Sequence, residues 1–377
     1  MKSIHINSYL SNTSLYYNLF EALEGVSVSQ NVFVPLRIDS SWRWNPPVEL
    51  RTVHHELQRY QTKLDRLLYK GKIRKGVRRF GPAMHEAAKD GGIIHAHTLF
   101  SDGGLAYEFS KQMGLPYSLS VRNTDLNVFW KYMLHLRGFG RKILENASAI
   151  IFLSEAYRQN MRALVSKKKW AQIENKCHVV PNGIEQHWFQ RELSGAAEPG
   201  LRLLFLGRFD KNKNLHGTIQ AAKQLTAQGE PVTLRLVGAR GAYADSIRSQ
   251  YPYDWIEYVN FTKDKAELKQ HFAWANVFVM PSFTETFGLV YPEALSQGVP
   301  VIYSKGQGFD GWCPDPTCGL GVNPKDTNEI ASAISKLAKA NNPDACRQLA
   351  ENFQWEIIAQ NYKKIYSDIL CNQVPKK

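Results

Sequence analysis

Cysteine is scarce in this 377-residue chain: Cys177, Cys313, Cys318, Cys346 and Cys371, an odd and scattered set of five. Such a set argues against a disulfide framework. Cys313 and Cys318 have no His/Cys pair nearby and read as free thiols rather than zinc ligands. Long apolar runs are missing as well, and none approaches the length of a membrane-spanning helix. The opening MKSIHINSYLSNTS lacks a signal-peptide core, and there is no low-complexity tract. These absences exclude a disulfide-stapled domain and an integral membrane protein, and they lead us to expect a cytoplasmic chain.

With 44% apolar and 21% charged residues, the composition is that of a globular protein, and 377 residues suffice for two domains with separate cores. The net charge of +13 is unevenly spread. Residues 1–192 hold 27 Lys/Arg against 16 Asp/Glu, and residues 51–90 alone hold 11 against 4. The segment from Leu57 to Phe80 reads as a basic amphipathic helix. An anionic membrane surface attracts such a segment, a nucleic acid offers the same charge, and a solvated helix face explains it without any partner. Lys167, Lys168, Lys169 and Trp170 form a second basic knot with the same three explanations.

Short apolar strands alternate with helical patterns through the chain. Strands are expected at Ile4–Asn7, Asn31–Leu36, Ile93–Ala96, Tyr117–Val121, Ala149–Leu153 and Cys177–Val180. A second series runs from Leu201–Leu206 through Val232–Val237, Ile256–Val259 and Val277–Met280 to Val299–Ile302. The helices between them include Ser14–Leu23, Leu126–Glu145, Ala266–Trp274 and Asn328–Ala340. This alternation predicts parallel sheets covered on both faces, in two doubly wound α/β domains joined around Arg191–Gly200. Ligands of such sheets bind at the carboxyl ends of the strands, so the cleft between two facing domains is the expected site.

One stretch carries most of the chemistry: PSFTETFGLVYPEALSQGVPVI, residues 281–302. A buried strand ending at Pro281 passes through a loop of small and polar residues into a short helix from about Val290, with Pro292 in its first turn. A helix start reached through a glycine-containing loop offers unpaired backbone N–H groups to a phosphate or diphosphate. Glu285 and Glu293 bracket that seat. Beside a diphosphate they are suited to sugar hydroxyls; taken singly, Glu293 is an ordinary first-turn acid and Glu285 a solvated loop residue. The turn after Leu201–Leu206 bears Arg208 and Lys213, two cations able to neutralise a diphosphate as it leaves.

Taken together, the motifs resemble the nucleotide-sugar-dependent glycosyltransferases of family 4. They are Glu285 through Glu293 with Phe287, Gly288 and Leu289 between them, Gly207-Arg208…Lys213, Pro181-Asn182-Gly183-Ile184 and Gly298–Ile302. The closing FQWEIIAQNYKKIYSDIL also resembles that family's last helix. The resemblance implies the GT-B architecture, two facing Rossmann-like domains with a C-terminal helix crossing back to the first. Residues 1–190 would bind acceptor, 200–352 would bind the nucleotide sugar, and 353–377 would pack on the first domain. Arg208 and Lys213 would hold the donor diphosphate, and the backbone of Phe287, Gly288 and Leu289 the phosphate and sugar. Glu285 would accept from hexose hydroxyls and Glu293 from ribose, and Phe261 would lie by the base, although YVNFTKDKAE lacks the usual glycine there. Retention and metal-independent catalysis without a cofactor follow from the resemblance, and no Asp-x-Asp pair occurs in the chain.

The first domain departs from that pattern. Ser11-Asn12-Thr13-Ser14 stands where many relatives have Gly-Gly, and Arg122-Asn123-Thr124-Asp125 carries arginine where a histidine is common. Arginine is not a base at neutral pH, so Arg122 is cast as an anion or acceptor clamp, beside Asn123 and Asp125. His95 and His97 alternate onto one strand face, with His97 expected to face the cleft together with Asp102, Ser11 and Asn12. The activity implied is retaining transfer of a hexose from a nucleotide diphosphate sugar, UDP-linked by expectation, to a glycan or lipid-linked glycan in bacterial surface-polysaccharide assembly. Peripheral contact with the inner membrane face through residues 57–80 goes with it, and nucleic acid is not an expected partner. A GT-B nucleotide-sugar epimerase, a basic nucleic-acid-binding protein and a catalytically silent scaffold are the alternatives.

Overall fold

In the computed structural model, residues 1–13, 15–66, 68–190, 199–340 and 342–372 are described. The chain forms two units. The first comprises Met1–Leu153, Tyr157–Pro181 and the stretch from Trp355 on; the second comprises Asn182–Gln354 with Ser154–Ala156.

The first unit begins β1 (Lys2–Ile6), α1 (Leu15–Gly25), β2 (Ser29–Arg37) and β3 (Val53–Gln61). It continues with α2 (Tyr69–Ala88), β4 (Ile93–Ala96), α3 (Gly103–Met113) and β5 (Tyr117–Val121). Next come α4 (Arg137–Asn146), β6 (Ala149–Phe152), α5 (Glu155–Leu164), α6 (Lys167–Ile173) and β7 (Cys177–Val179). The strands make one parallel sheet in the order β3-β2-β1-β4-β5-β6-β7. Helices on both faces leave the inner strands no wet side, which is why β4, β5 and β6 are buried at every position.

The second unit repeats the plan with β8 (Leu201–Leu206), α7 (Leu215–Ala227), β9 (Val232–Ala239), α8 (Ala242–Gln250) and β10 (Ile256–Asn260). Then follow α9 (Lys265–Trp274), β11 (Val277–Val279), α10 (Val290–Ser296), β12 (Val301–Ser304) and β13 (Gly319–Val322). Two helices, α11 (Thr327–Ala340) and α12 (Pro343–Ala350), complete it. Its sheet is also parallel, ordered β10-β9-β8-β11-β12-β13. The two ends of this unit are pinned together by a bridge between Ile184 and Gln354. In each sheet the strand order reverses once, between β1 and β4 and between β8 and β11. The loops leaving those strands are therefore where a ligand crevice opens.

The last helix, α13 (Trp355–Cys371), belongs to the first unit. Trp355, Ile358, Tyr362 and Tyr366 share one core cluster with Tyr16, Leu19, Phe20 and Leu23 of α1.

The expected helix from Leu57 to Phe80 is corrected. Val53–Gln61 is an edge strand, and the helix is Tyr69–Ala88. HHELQRYQ pairs along the whole of β2 although only Val53 and Tyr60 are fully buried, because an edge strand covered on part of its surface carries no clean alternation. The helix runs through Pro82 because Phe80, Met84 and Ala87 stay on its buried face. The expected Leu126–Glu145 helix is likewise broken, into a π-helical turn at Asp125–Trp130, a short 3-10 turn and α4. β3, β13, α6, α8 and α12 were not expected. Ser14 and most of the proposed linker, residues 191–198, lie outside the described residues.

Ile358 is fully buried in the α1–α13 cluster. Ile358→Ala is expected to cost roughly 2–5 kcal/mol, the range for cavity-forming aliphatic truncations, read as a lowered urea midpoint at unchanged slope.

Candidate functional site

The crevice of the second unit is built by the turn after β8 and the loop after β11. The first is held by asparagines. Asn214 takes the left-handed conformation (φ 55°), caps α7 by accepting from the Gly217 N–H, and donates to the carbonyls of Pro281 and Pro324. Asn212 clasps the facing loop with three bonds. Its carbonyl accepts from Phe283 N–H, its Oδ1 accepts from Thr284 N–H at 3.0 Å, and its Nδ2 donates to the Thr284 carbonyl at 2.8 Å. Neither asparagine was singled out in the sequence, although Asn-x-Asn directly after a strand and before an apolar helix is a turn-and-cap signal.

This clasp brings Lys213 and Glu285 together. Lys213 Nζ donates to Glu285 Oε2 at 2.6 Å, with only 17% and 13% of the two side chains exposed. The Glu285 loop is fixed from its other side too. Its N–H donates to Gln307 Oε1 at 3.0 Å, and its carbonyl accepts from Gly308 N–H. A Cβ at Gly308 would collide with the Thr286 carbonyl, so only glycine permits this approach. Arg208 is placed differently, with 83% of its side chain exposed and its guanidinium 3.6 Å from Asp210.

Past Glu285 the chain turns through Gly288 at φ +81°, where a side chain would run into the Tyr291 ring. Tyr291 is buried and donates its hydroxyl to the Met280 carbonyl at 2.7 Å, tying α10 to the end of β11. Among the described residues, the backbone N–H groups of Phe287, Gly288, Leu289 and Val290 donate to no acceptor. The Phe287 ring faces inward against Phe309 and Phe353, so its backbone rather than its side chain is available. Four consecutive free donors beside a lysine form a concavity suited to anionic oxygen.

Glu293, one turn into α10, keeps part of its surface accessible, but its carboxyl is deeply set. Burial, and then the charge of Glu185, push its pKa up to about 8 against the pull of Lys265. Lys265 is itself ion-paired with Glu185. Phe261, just beyond β10, is 43% exposed.

The crevice of the first unit gathers the other predicted residues, but gives several of them structural work. His97 does not face outward as expected. Its ring is fully buried, sharing a hydrogen bond with His5 at 3.0 Å and packing edge-on against Tyr16. His95 lies 4.6 Å from it, hydrogen-bonded to Ser118 and Ser120. Alternation placed the two rings on one strand face correctly, but periodicity does not say whether a helix covers that face. Burial holds all three imidazoles far below their ordinary pKa, hence neutral.

Asp102 and Asp125 are buried clamps. Asp102 accepts from Ser8 N–H and from the Thr98 hydroxyl, both at 3.0 Å; Asp125 accepts from the N–H groups of Leu99, Phe100 and Arg122. They join the loops after β1, β4 and β5, and burial raises their pKa values to about 7 and about 6 against those bonds. Arg122, 7% exposed, donates to the His97 carbonyl at 3.3 Å and lies over the Tyr16 ring. Asn123 accepts from Asn127 at 2.6 Å. Ser11 and Asn12 sit in a 3-10 turn, Asn12 exposed, and the neighbouring Tyr9 hydroxyl reaches Thr124 at 3.0 Å.

Residues 200–340 match the family model of Glycosyl transferases group 1. The chain is similar to an uncharacterized 41.2 kDa protein in the cps region of Klebsiella pneumoniae, 28% identical over 44% of this chain and 46% of the relative. It is also similar to O-antigen chain mannosyltransferase B of Escherichia coli, 31% identical over 41% of this chain and 42% of that one. The chain thus spans less than half the length of these two curated relatives. Among solved structures, the Anabaena protein HepE in complex with UDP and glucose superposes with a TM-score of 0.65 at 17% identity, covering 97% of this chain and 99% of the other. Two parallel-sheet, Rossmann-like units in this arrangement of elements are the GT-B fold seen in solved glycosyltransferase structures. The epimerase and nucleic-acid readings gain no support from these likenesses.

Ionising Glu293 costs the ligand-free protein stability. With a folded pKa of about 8 against 4.5, the carboxyl's favourable contribution is complete below about pH 4.5 and lost as pH rises through 8. Glu293→Gln is therefore expected to melt above the wild type at pH 9, with the gap closing toward pH 4.5, by differential scanning fluorimetry without ligand.

Proposed function

We propose that this protein is a retaining hexosyltransferase of the family 4 kind, moving a sugar from a UDP-linked donor to a glycan or lipid-linked glycan acceptor in bacterial surface-polysaccharide assembly. One observation carries the reading: Lys213 and Glu285, paired at 2.6 Å, stand beside four free backbone N–H groups where the strand order of the second sheet reverses. The relatives from a cps region and from O-antigen chain synthesis support the polysaccharide setting, and the UDP-bound structure supports the nucleotide.

In this reading the donor diphosphate lies along the N–H groups of residues 287–290, with Lys213 and the exposed Arg208 supplying positive charge. Lys213 solves an electrostatic problem, because a bare Glu285 would repel the diphosphate. Paired with the ammonium, the Glu285 carboxylate makes a couple that is neutral overall and still offers acceptor oxygens, one of them also bonded to Thr286 N–H, to sugar hydroxyls. Glu293, uncharged below about pH 8 in the free protein, likewise adds no repulsion when the nucleotide approaches. The bond between the anomeric carbon and the diphosphate oxygen breaks as the bond to the acceptor oxygen forms on the same face. The electron pair of the broken bond goes to the departing phosphate oxygen, and the acceptor's hydroxyl proton follows it there. Charge stabilisation then comes from Lys213, Arg208 and the loop donors, with no metal required. In the first unit the acceptor would meet the loops that Asp102 and Asp125 clamp, with Arg122 fixed beneath them by the His97 carbonyl.

The test is turnover of radiolabelled nucleotide sugars with a panel of lipid-linked and free glycan acceptors, with the anomeric configuration of the product read by NMR. Lys213→Ala and Glu285→Ala are each expected to reduce transfer on the order of a hundredfold or more, the scale seen when one charge-stabilising group is removed. Both variants should still unfold in one cooperative transition, at a melting temperature lowered by the loss of the counter-charge, and EDTA should leave the wild-type rate unchanged. Full activity in both variants would overturn the assignment, and an inverted product would overturn the stereochemical part alone.

A further inference from the structure

The second unit carries a polar groove that the crevice does not use. It lies between α7 and α11, which Gln224 ties together by donating from Nε2 to Asn328 Oδ1 at 3.0 Å. The groove holds about 370 Å³ and is lined mostly by amide, hydroxyl and ammonium groups, with no acid among its lining residues. Among the described residues, the side chains of Gln228, Ser332, Ser335, Lys336 and Lys339 make no hydrogen bond or ion pair. Lys336 and Lys339 are exposed and, three positions apart on α11, share one face. Glu329, in the first turn of the same helix, is already paired with Lys305, so the free charge is confined to the far end.

On the other flank of α7 stands an aromatic pair. The loop from α8 to β10 is tied to α7 through Tyr251, a buried residue whose hydroxyl shares a hydrogen bond with His216 Nδ1 at 2.7 Å. Further along that loop the rings of Tyr253 and Trp255 lie parallel, 8° apart with centroids at 5.1 Å, and Lys223 of α7 stands over Tyr253 at 5.3 Å. Both residues are partly exposed, and among the described residues the Tyr253 hydroxyl and the Trp255 indole N–H bond to nothing. Rings needed only for packing go inside, as Tyr251 does, whereas a partly wet Tyr and Trp with free polar tips suit a bound partner. Asp254, between them in the chain, is exposed, and its side chain is likewise unbonded. Lys223 and Gln224 are consecutive on α7, so the groove and the ring pair are separated by one helix, about 10–12 Å across. Trp255 directly precedes β10, and Gln228 caps α7 ahead of β9, so both features stand where strands begin, at the opposite end of the sheet from the Lys213–Glu285 crevice.

We propose that this face of the second unit is a separate glycan-binding site, taking an oligosaccharide that carries anionic groups at intervals along its length. Lys336 and Lys339 meet the anionic groups, and Gln228, Ser332 and Ser335 bond sugar hydroxyls in the groove. Across α7 the C–H face of a further sugar lies on the Tyr253–Trp255 pair, with Asp254 accepting from its hydroxyls. Negative charge on the ligand is matched at the groove end alone. A nucleic acid or an acidic peptide, charged on every unit, would bring anions against Asp254. The site uses neither the donor nor the crevice, so the inference goes beyond sugar transfer and stands or falls apart from it.

The test is fluorescence anisotropy of a labelled hyaluronan hexasaccharide, whose carboxylates recur on alternate sugars, titrated with the full chain in the absence of any nucleotide sugar. Saturable binding is expected, weakening as salt rises from about 50 to about 500 mM. Unlabelled hexasaccharide should displace the probe and neutral maltohexaose should not. K336Q/K339Q should weaken binding about tenfold, from the loss of two exposed charge contacts, and W255A about tenfold, from the loss of the stacking surface. No binding, or wild-type affinity in K336Q/K339Q or in a folded W255A, would overturn the proposal. Displacement by polyglutamate or oligo-dT as effective as by the hexasaccharide would overturn it in favour of a generic polyanion surface, and displacement by maltohexaose as effective would overturn the anionic ligand class. Should W255A fail to fold, K336Q/K339Q, which alters exposed side chains only, decides the matter together with the displacement series.

Discussion

The contact between Lys213 and Glu285 is the constraint from which the second unit's crevice takes its form. Two charges lose most of their water to meet at 2.6 Å, and that desolvation is tolerable only because the geometry is fixed on both sides. Asn212 fixes it from the β8 turn, and Gln307 with Gly308 fix it from the far side of the loop. Removing either partner leaves the other largely buried without its counter-charge, so the pair is a poor place for drift and a good place for a ligand to find preset charge. The free N–H groups that follow are a by-product of the same turn, since a chain held at Glu285 and redirected at Gly288 enters α10 before its first donors have carbonyls to reach.

The first unit uses acids for the opposite purpose. Asp102 and Asp125 have given up their solvent to accept backbone N–H groups, and their raised pKa values record how much of that desolvation the hydrogen bonds fail to repay. They hold three loops in register around Arg122 and Tyr9. The imidazoles of His5, His95 and His97 sit beneath, neutral and packed. One crevice is thus a charged seat and the other a rigid rim of buried acids and the buried Arg122.

Much of this was legible in the residues. Apolar strands alternating with helical patterns specified parallel α/β units, because only a strand buried on both faces reads as an unbroken apolar run. The 281–302 stretch declared its loop and its helix start through Gly288, Pro292 and the two glutamates. What failed to show were elements whose residues are decided by neighbours. β3 looked helical because an edge strand needs no alternation, and α2 ran through Pro82 because Phe80, Met84 and Ala87 outweigh one missing hydrogen bond. His97 looked like a site residue because alternation gives a face without saying what covers it.

The sequence by itself determined which chemical groups stand at the ends of β8 and β11, and that the chain would wind into two parallel sheets, since both follow from local pattern and strand connectivity. Only the tertiary structure decided that Lys213 and Glu285 meet while Arg208 stays in solvent, that Asp102 and Asp125 are consumed in clamping loops, and that His97 is buried beneath them. Those outcomes depend on contacts between residues 25 to 94 positions apart, which packing sets and spacing along the chain does not.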